Sequence, residues 1–365
     1  VKITLFGLTL SSSWGNGHAT PYRALLRALS AMGNEVAFFE KDAPYYARRR
    51  DFSQCDYCDL VLYSSWDEVR GHALAVAAES DAIIVGSYCP EGARIADEIL
   101  ALDRPRRVFY DLDTPITLEK LRGGGADYLR REQIPEFDLY LSFTGGAILR
   151  ELEQQWGART ARALYGCVDP DLYLRQEPSP VFRCDLGYMG TYAADRQVKL
   201  DELFLQPARR FPKKEFVLAG SMYPEHYCWP GNVRCFEHLA PGLHPAFYSS
   251  CRLTLNVTRG QMARYGYAPS GRFFEAAACG TPILSDWWDG LDQFFVPNQE
   301  VAIARRAEDV ANHLQRDDED LREMARQARE RTLQEHTGER RARQLLDYLE
   351  PAARSRMPSC SMEAA

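Results

Sequence analysis

Short apolar, β-branched or aromatic runs alternate along the chain with longer amphipathic stretches, the pattern of a parallel sheet wound by helices. In the first half the runs at residues 2–8, 35–40, 59–64, 82–86, 107–111 and 138–142 read as strands. Between them, residues 20–32 carry Leu25, Leu26 and Leu29 at helical spacing, and residues 67–78 carry Val69, Ala73, Val76 and Ala77. The pattern then restarts, with strand candidates at 185–190, 215–219, 233–238, 253–257 and 282–285 and helices notably at 195–211 and 272–279.

Residues 165–180 separate the two rounds. Pro170, Pro178, Pro180 and the polar run 175–177 mark them as a linker. The expected architecture is therefore α/β, with two doubly wound, Rossmann-like domains facing each other across a cleft. Parallel sheets hold ligands outside the carboxyl ends of their strands, which makes that cleft the expected reactive place. From about Ala307 the chain is charged and helical, with an intermittent stripe of Leu314, Leu321, Met324 and Ala325, and a C-terminal helix is expected to pack back across the other domain. The expected division is 1–170 for the first Rossmann-like domain, 171–335 for the second, 336–350 for the returning helix and 351–365 for a loose tail.

Composition narrows the class without naming it. The chain has 365 residues, 45% of them hydrophobic and 26% charged, with a formal net charge of −7, which suits a globular protein of two domains and disfavours one that coats nucleic acid. Arg48, Arg49 and Arg50 cluster, as at a solvated helix end. Residues 1–10 lack the pattern of a secretory leader, and no run approaches the ~20 apolar residues needed to span a bilayer. Ten scattered cysteines fit reduced thiols, so the expected location is the cytoplasm. Cys55 and Cys58 form a lone C-x-x-C without a second pair, which disfavours zinc or redox chemistry there; His226, Cys228, Cys235 and His238 have the right types for zinc at an unfamiliar spacing, and an ordinary loop is the expected reading.

The most informative segment runs Pro269-Ser270-Gly271-Arg272-Phe273-Phe274-Glu275-Ala276-Ala277-Ala278-Cys279-Gly280-Thr281-Pro282. Ser270 can cap a helix whose free N–H groups hold a diphosphate, Gly271 allows close approach, and Arg272 adds positive charge. Glu275, about one turn further on, could accept hydrogen bonds from both hydroxyls of a ribose. The bland alternative is a plain capped helix with a solvated Glu275. Asn256-Val257-Thr258-Arg259 ends a strand at the expected cleft edge, making Asn256 and Arg259 donor-side candidates, with a loop salt bridge as the competing role of Arg259.

In the first half, Gly15-Asn16-Gly17-His18 follows the first strand and opens a helix. Thr20 replaces the third glycine of a dinucleotide fingerprint, which disfavours NAD. Gly17 and His18 are expected at the cleft, and histidine is the side chain suited to proton transfer at neutral pH, unless it merely caps its own helix. Asp111 and Asp113 flank Leu112 at a strand end and would point to the same side if the strand continued. Either could deprotonate a hydroxyl; Asp113, nearer the cleft, is the preferred base, with helix capping as its competing role.

The 269–282 segment resembles the donor-binding signature of glycosyltransferases of the GT-B fold. Leu186-Gly187-Tyr188-Met189-Gly190-Thr191-Tyr192, followed by Asp195 and Arg196, resembles the first strand and phosphate-facing loop of their nucleotide domain, which assigns Gly190 and Arg196 to the donor. Together with 13–20, 110–115, 166–170, 256–259 and 285–290, these segments are similar to the CgeB-type, spore-maturation-like glycosyltransferases over nearly the whole chain. The resemblance implies a nucleotide-diphosphate sugar as donor substrate, a hydroxyl-bearing acceptor of unstated kind, and no obligatory metal or cofactor. It also departs from many retaining members, which carry a glutamate eight positions before the ribose glutamate, where this chain has Tyr267. Asp286 and Trp288 in Asp286-Trp287-Trp288-Asp289-Gly290 are expected to line the sugar pocket, with core packing as the role of at least one of the two tryptophans. The rival expectations are a nucleotide-sugar epimerase on the same fold and a non-catalytic protein of sugar-nucleotide binding or coat assembly.

Overall fold

A computed structural model describes residues 1–52, 54–225 and 227–350, so the tail expected to be loose lies outside the described residues. The first sheet comprises β1 (Lys2–Gly7), β2 (Glu35–Lys41), β3 (Asp59–Tyr63), β4 (Ala82–Gly86), β5 (Arg106–Asp111), β6 (Leu139–Ser142) and β7 (Ala161–Ala163). It is parallel throughout, in the order β3-β2-β1-β4-β5-β6-β7. The second comprises β8 (Cys184–Met189), β9 (Phe216–Ala219), β10 (Val233–Phe236), β11 (Cys251–Asn256), β12 (Ile283–Ser285) and β13 (Ala302–Ile303). It too is parallel, ordered β10-β9-β8-β11-β12-β13.

The continuous apolar runs follow from burial on both faces of a sheet, because successive side chains in a strand point opposite ways. Phe6, Phe39, Val85 and Phe109 join the core on one face, with Trp66 and Ala73, while their neighbours Leu5, Phe38, Ile84 and Val108 join the core on the other, with Tyr22 and Leu26. Every expected strand is present to within two residues at either end. The edge strands β7 and β13 went unrecognised because three and two residues carry no usable periodicity.

One expected helix is subdivided. Residues 195–211 form Ala194–Leu200, a π-helical turn Asp201–Leu205, and Gln206–Arg210. Pro207 has no N–H for the carbonyl one turn earlier, and its ring crowds that turn, so the backbone widens just upstream.

The chain crosses between domains twice, side by side. The Val168 N–H donates to the His336 carbonyl at 3.0 Å, and the Gly338 N–H donates to the Val168 carbonyl at 2.9 Å. The last helix, Gly338–Leu349, then lies against Ala19–Ala31, with Ala342 and Leu345 entering the core of the first domain. Gly338 permits that approach, since a Cβ there would stand 2.4 Å from the Ala24 carbonyl oxygen.

Candidate functional site

In each sheet the strand order reverses once, between β1 and β4 in the first and between β8 and β11 in the second. Helices leave to opposite faces at such a point, so the two loops part and open a crevice at the strand ends. The two crevices face one another and form a cleft of about 850 Å³. Gly17, His18, Tyr88 and Asp113 line it from the first domain; Gly190, Arg196, Arg259, Ser270, Gly271, Arg272 and Glu275 line it from the second.

Two guanidinium groups lie on the floor of the second side. Arg272 donates to the Met189 carbonyl at 2.5 Å, the Val257 carbonyl at 3.3 Å and Ser270 Oγ at 2.9 Å. Arg196 donates to the Thr191 carbonyl, but its Nε is shut away from solvent without a hydrogen-bond partner. Among the described residues, neither pairs with a carboxylate within 4.0 Å. Tyr188 is fully buried beside them; burial pushes its phenol up, and the two guanidinium charges outweigh that and bring it below its ordinary value. Uncompensated positive charge at a crevice is the electrostatic requirement for a bound anion. Gly190 makes the arrangement possible, because a Cβ there would stand 2.6 Å from Arg272 Nη1 and 2.6 Å from Tyr188 Oη.

Ser270 occupies the N-cap position of the helix Gly271–Ala278, but its side chain makes no capping bond. The expected cap is corrected: Ser270 Oγ accepts from Arg272 instead, which leaves the first N–H groups of the helix facing the cleft, with open space beside Gly271. Glu275 is 6% exposed and lines the cleft, so it is not a solvated surface residue. Tyr248 Oη donates to Glu275 Oε2 at 3.4 Å, and His244 Nδ1 stands 3.9 Å from the same oxygen while sharing a 3.1 Å hydrogen bond with Tyr173 Oη. The sequence reading missed this support; His244 and Tyr248 lie one turn apart on the helix His244–Ser250 and Tyr173 comes from the linker, all distant in sequence from Glu275. Arg259 reaches the cleft and also meets its competing role, an ion pair with Asp195 at 3.4 Å.

On the first side, His18 holds the N-cap position of Ala19–Ala31 without a capping bond from its ring. The Asn16 carboxamide oxygen takes that role, accepting from the N–H groups of His18 and Ala19 at 3.0 and 3.2 Å. The ring is thereby free to approach Asp113, with Nε2 3.6 Å from Oδ2, and to pack edge-on against Tyr88. Asp113 likewise sits at an N-cap position without a side-chain cap.

Asp111 corrects an expectation. β5 ends at this residue, so the two carboxylates do not share a direction: Asp111 is 0% exposed and does not line the cleft. It accepts from Tyr140 Oη at 2.6 Å, Thr117 Oγ1 at 2.9 Å and the Asp113 N–H at 3.1 Å. Burial pushes its carboxyl up from 3.8 to about 6 despite those donors. The unfolded chain thus releases this proton first, and the stability contribution of Asp111, full below its unfolded value of 3.8, is lost as pH rises toward about 6. Urea unfolding of Asp111→Asn should lack this fall, which amounts to about 3 kcal/mol between the two limits.

Three further candidates do not line the cleft. Asn256 is buried and donates to Thr258 Oγ1 and Ser285 Oγ. Asp286 is buried, pairs with Lys199 at 2.5 Å, and accepts from the Thr258 N–H and Oγ1 at 3.0 and 2.9 Å, so it fixes the loop that carries Arg259. Trp288 is core, packed against Phe273 and Phe294. Asn256 is the last residue of β11, and Asp286 and Trp288 follow β12 by one and three residues; all three side chains are buried. Tyr267, at the position of the absent glutamate, is wedged between the domains: a Cβ on Gly146 or on Gly290 would stand 2.3 Å from its ring. His226 lies outside the described residues, and among the described residues no group of three or more His, Cys, Asp or Glu side chains could hold a metal ion.

This is the two-domain architecture of the GT-B glycosyltransferases, with the C-terminal helix returned to the first domain. Residues 196–347 match the model of a family described as glycosyl transferase-like. Arg196, Arg259, Ser270, Gly271, Arg272 and Glu275 all fall in that segment. Sucrose-phosphate synthase from Thermosynechococcus elongatus superposes with a TM-score of 0.67 at 15% identity, over 95% of this chain and 98% of that one. An alpha-glucosyltransferase in complex with UDP and a 13-mer DNA containing a HMU base gives 0.72 at 13% identity, over 96% and 99%. HepE from Anabaena in complex with UDP-glucose gives 0.64 at 12% identity, over 95% and 99%. No curated protein matches the chain in sequence. Among the described residues no helix is long and apolar enough to cross a membrane.

Proposed function

We propose that the protein is a glycosyltransferase that moves a sugar from a nucleotide-diphosphate donor to a hydroxyl-bearing acceptor without an obligatory metal, and that it is of the CgeB type. The observation that carries this reading is the pair of cleft guanidinium groups, Arg196 and Arg272, unpaired with carboxylates beside the open N-terminus of Gly271–Ala278. Such donors are aimed where a departing diphosphate gathers charge, and they need no reorganisation as the bond breaks. Glu275 would take the ribose hydroxyls. Across the cleft, the His18 and Asp113 pair would accept the proton of the acceptor hydroxyl as it attacks the anomeric carbon. Complexes of UDP and UDP-glucose on this fold make a uridine donor the first to test.

Calorimetric titration with a panel of nucleotide sugars is the direct test. Glu275→Ala is expected to weaken the best ligand roughly 100-fold, as loss of two charge-assisted hydrogen bonds implies. Asp113→Asn should leave that affinity within about 3-fold and lower turnover at least 100-fold. Donor affinity untouched by Glu275→Ala would sink the reading. Turnover abolished by chelator and restored by manganese would remove its metal-free part. Donor conversion without acceptor would assign an epimerase instead.

A further inference from the structure

Cys55 and Cys58 stand apart from the cleft, in the loop that leads into β3. Their sulfur atoms are 3.0 Å apart, closer than sulfurs in ordinary van der Waals contact, and both residues are half-buried. The Cys58 thiol donates toward Cys55, and the backbone N–H groups of Tyr57 and Cys58 face the same sulfur; together they lower the Cys55 thiol against the opposing effect of burial. Closing the pair to a disulfide of ~2.0 Å needs a shift of only about 1 Å.

The chain supplies its own contrast. Cys184 and Cys251 are register partners on β8 and β11 with sulfurs 3.6 Å apart, but both are buried, and burial pushes the Cys251 thiol up. Proximity is common to the two pairs. Access belongs to the first alone, and within that pair the lowered thiol is that of Cys55.

We propose that Cys55 and Cys58 are a redox-active dithiol that forms a reversible disulfide by exchange with a low-molecular-weight disulfide. The Cys55 thiolate attacks one sulfur of glutathione disulfide, forming a mixed disulfide and releasing one glutathione thiolate. Cys58 then gives up its proton and attacks Cys55 Sγ, releasing the second. Two thiols are oxidised, one external disulfide is reduced, and the two protons end on the two glutathione thiols. The loop also braces the cleft, because Asp51 accepts from the Ser13 N–H and Oγ while the N–H groups of Asp51 and Phe52 donate to the Ser11 carbonyl.

The test is to incubate the reduced full-length protein with glutathione disulfide at neutral pH, quench with acid, alkylate after unfolding, and map the thiols by mass spectrometry. The peptide spanning Cys55 and Cys58 is expected to lose both alkylatable thiols and to regain them with dithiothreitol, while Cys184 and Cys251 remain alkylatable. Cys58→Ser should retain glutathione on Cys55. Both thiols surviving in the wild-type peptide, under conditions that oxidise free dithiothreitol, would overturn the proposal. So would oxidation of Cys184 and Cys251 at the same rate, since access would then not govern the chemistry.

Discussion

Replacing both cleft arginines, Arg196→Met with Arg272→Met, is expected to abolish nucleotide-sugar binding, and Arg196→Met alone to weaken it about 100-fold, the equivalent of one or two charge-assisted phosphate contacts. Isothermal titration reads the loss. The more telling measurement is the stability of the unliganded protein. Arg196 has a solvent-shielded Nε without a partner, and burial together with the neighbouring Arg272 lowers its hold on its proton. In the empty protein it contributes one bond, to the Thr191 carbonyl, against the cost of a desolvated like-charge neighbour. Arg196→Met should therefore leave the unliganded Tm unchanged or raised while ligand-induced stabilisation disappears. A fall in unliganded stability with unchanged affinity would make Arg196 a structural residue. Arg272 differs: its loss strands the Met189 and Val257 carbonyls, so Arg272→Met should destabilise the empty protein as well.

Acid should unfold this protein through His336. Its ring is 5% exposed, stacked on Phe274 at 4.4 Å with Phe294 and Phe295 close by. Arg341 Nη2 lies 2.9 Å from Nδ1, and a guanidinium can only donate, so Nδ1 must keep its lone pair. Protonation would place two cations in contact inside an aromatic core. Burial first, and then Arg341 and Arg331, accordingly lower this imidazole from 6.5 to about 3. The unfolded chain binds the proton more readily, so the contribution of His336 is complete above pH 6.5 and is lost as pH falls toward about 3. The full span corresponds to about 5 kcal/mol, of which about 2 kcal/mol should be gone by about pH 5. His336→Phe keeps the ring and removes the titration; its urea-unfolding free energy should lack this decline, whatever constant penalty Arg341 incurs. Equal declines in wild type and variant would refute the assignment. Because His336 sits where Val168 and Gly338 exchange hydrogen bonds across the domain crossing, its protonation should also loosen the two halves of the cleft.

Parallel strands were legible because they are buried on both sides, and burial on both sides writes an unbroken apolar run such as Ala82–Gly86. The cleft-lining segment Ser270–Glu275 was legible for a related reason: a capping position, a glycine, a cation and a carboxylate close together on one helix are local features. What failed lay at strand ends. Asp111, Asn256, Asp286 and Trp288 each stand within three residues of a strand terminus, and whether such a side chain meets the cleft or the core depends on where the chain turns. Tyr267 shows the same limit, since its packing between Gly146 and Gly290 joins loops of different domains.

By itself the amino-acid order determined the alternation of strands and helices and the residue types gathered along Gly271–Ala278, since both are patterns among residues near in sequence. Only the tertiary structure decided that His18 would meet Asp113, that Glu275 would be held by Tyr248 and approached by His244, and that two arginines would share one crevice with neither paired to a carboxylate. Those arrangements depend on how two domains and their reversed strand orders are juxtaposed in space, and spacing along one chain does not encode a distance across a cleft.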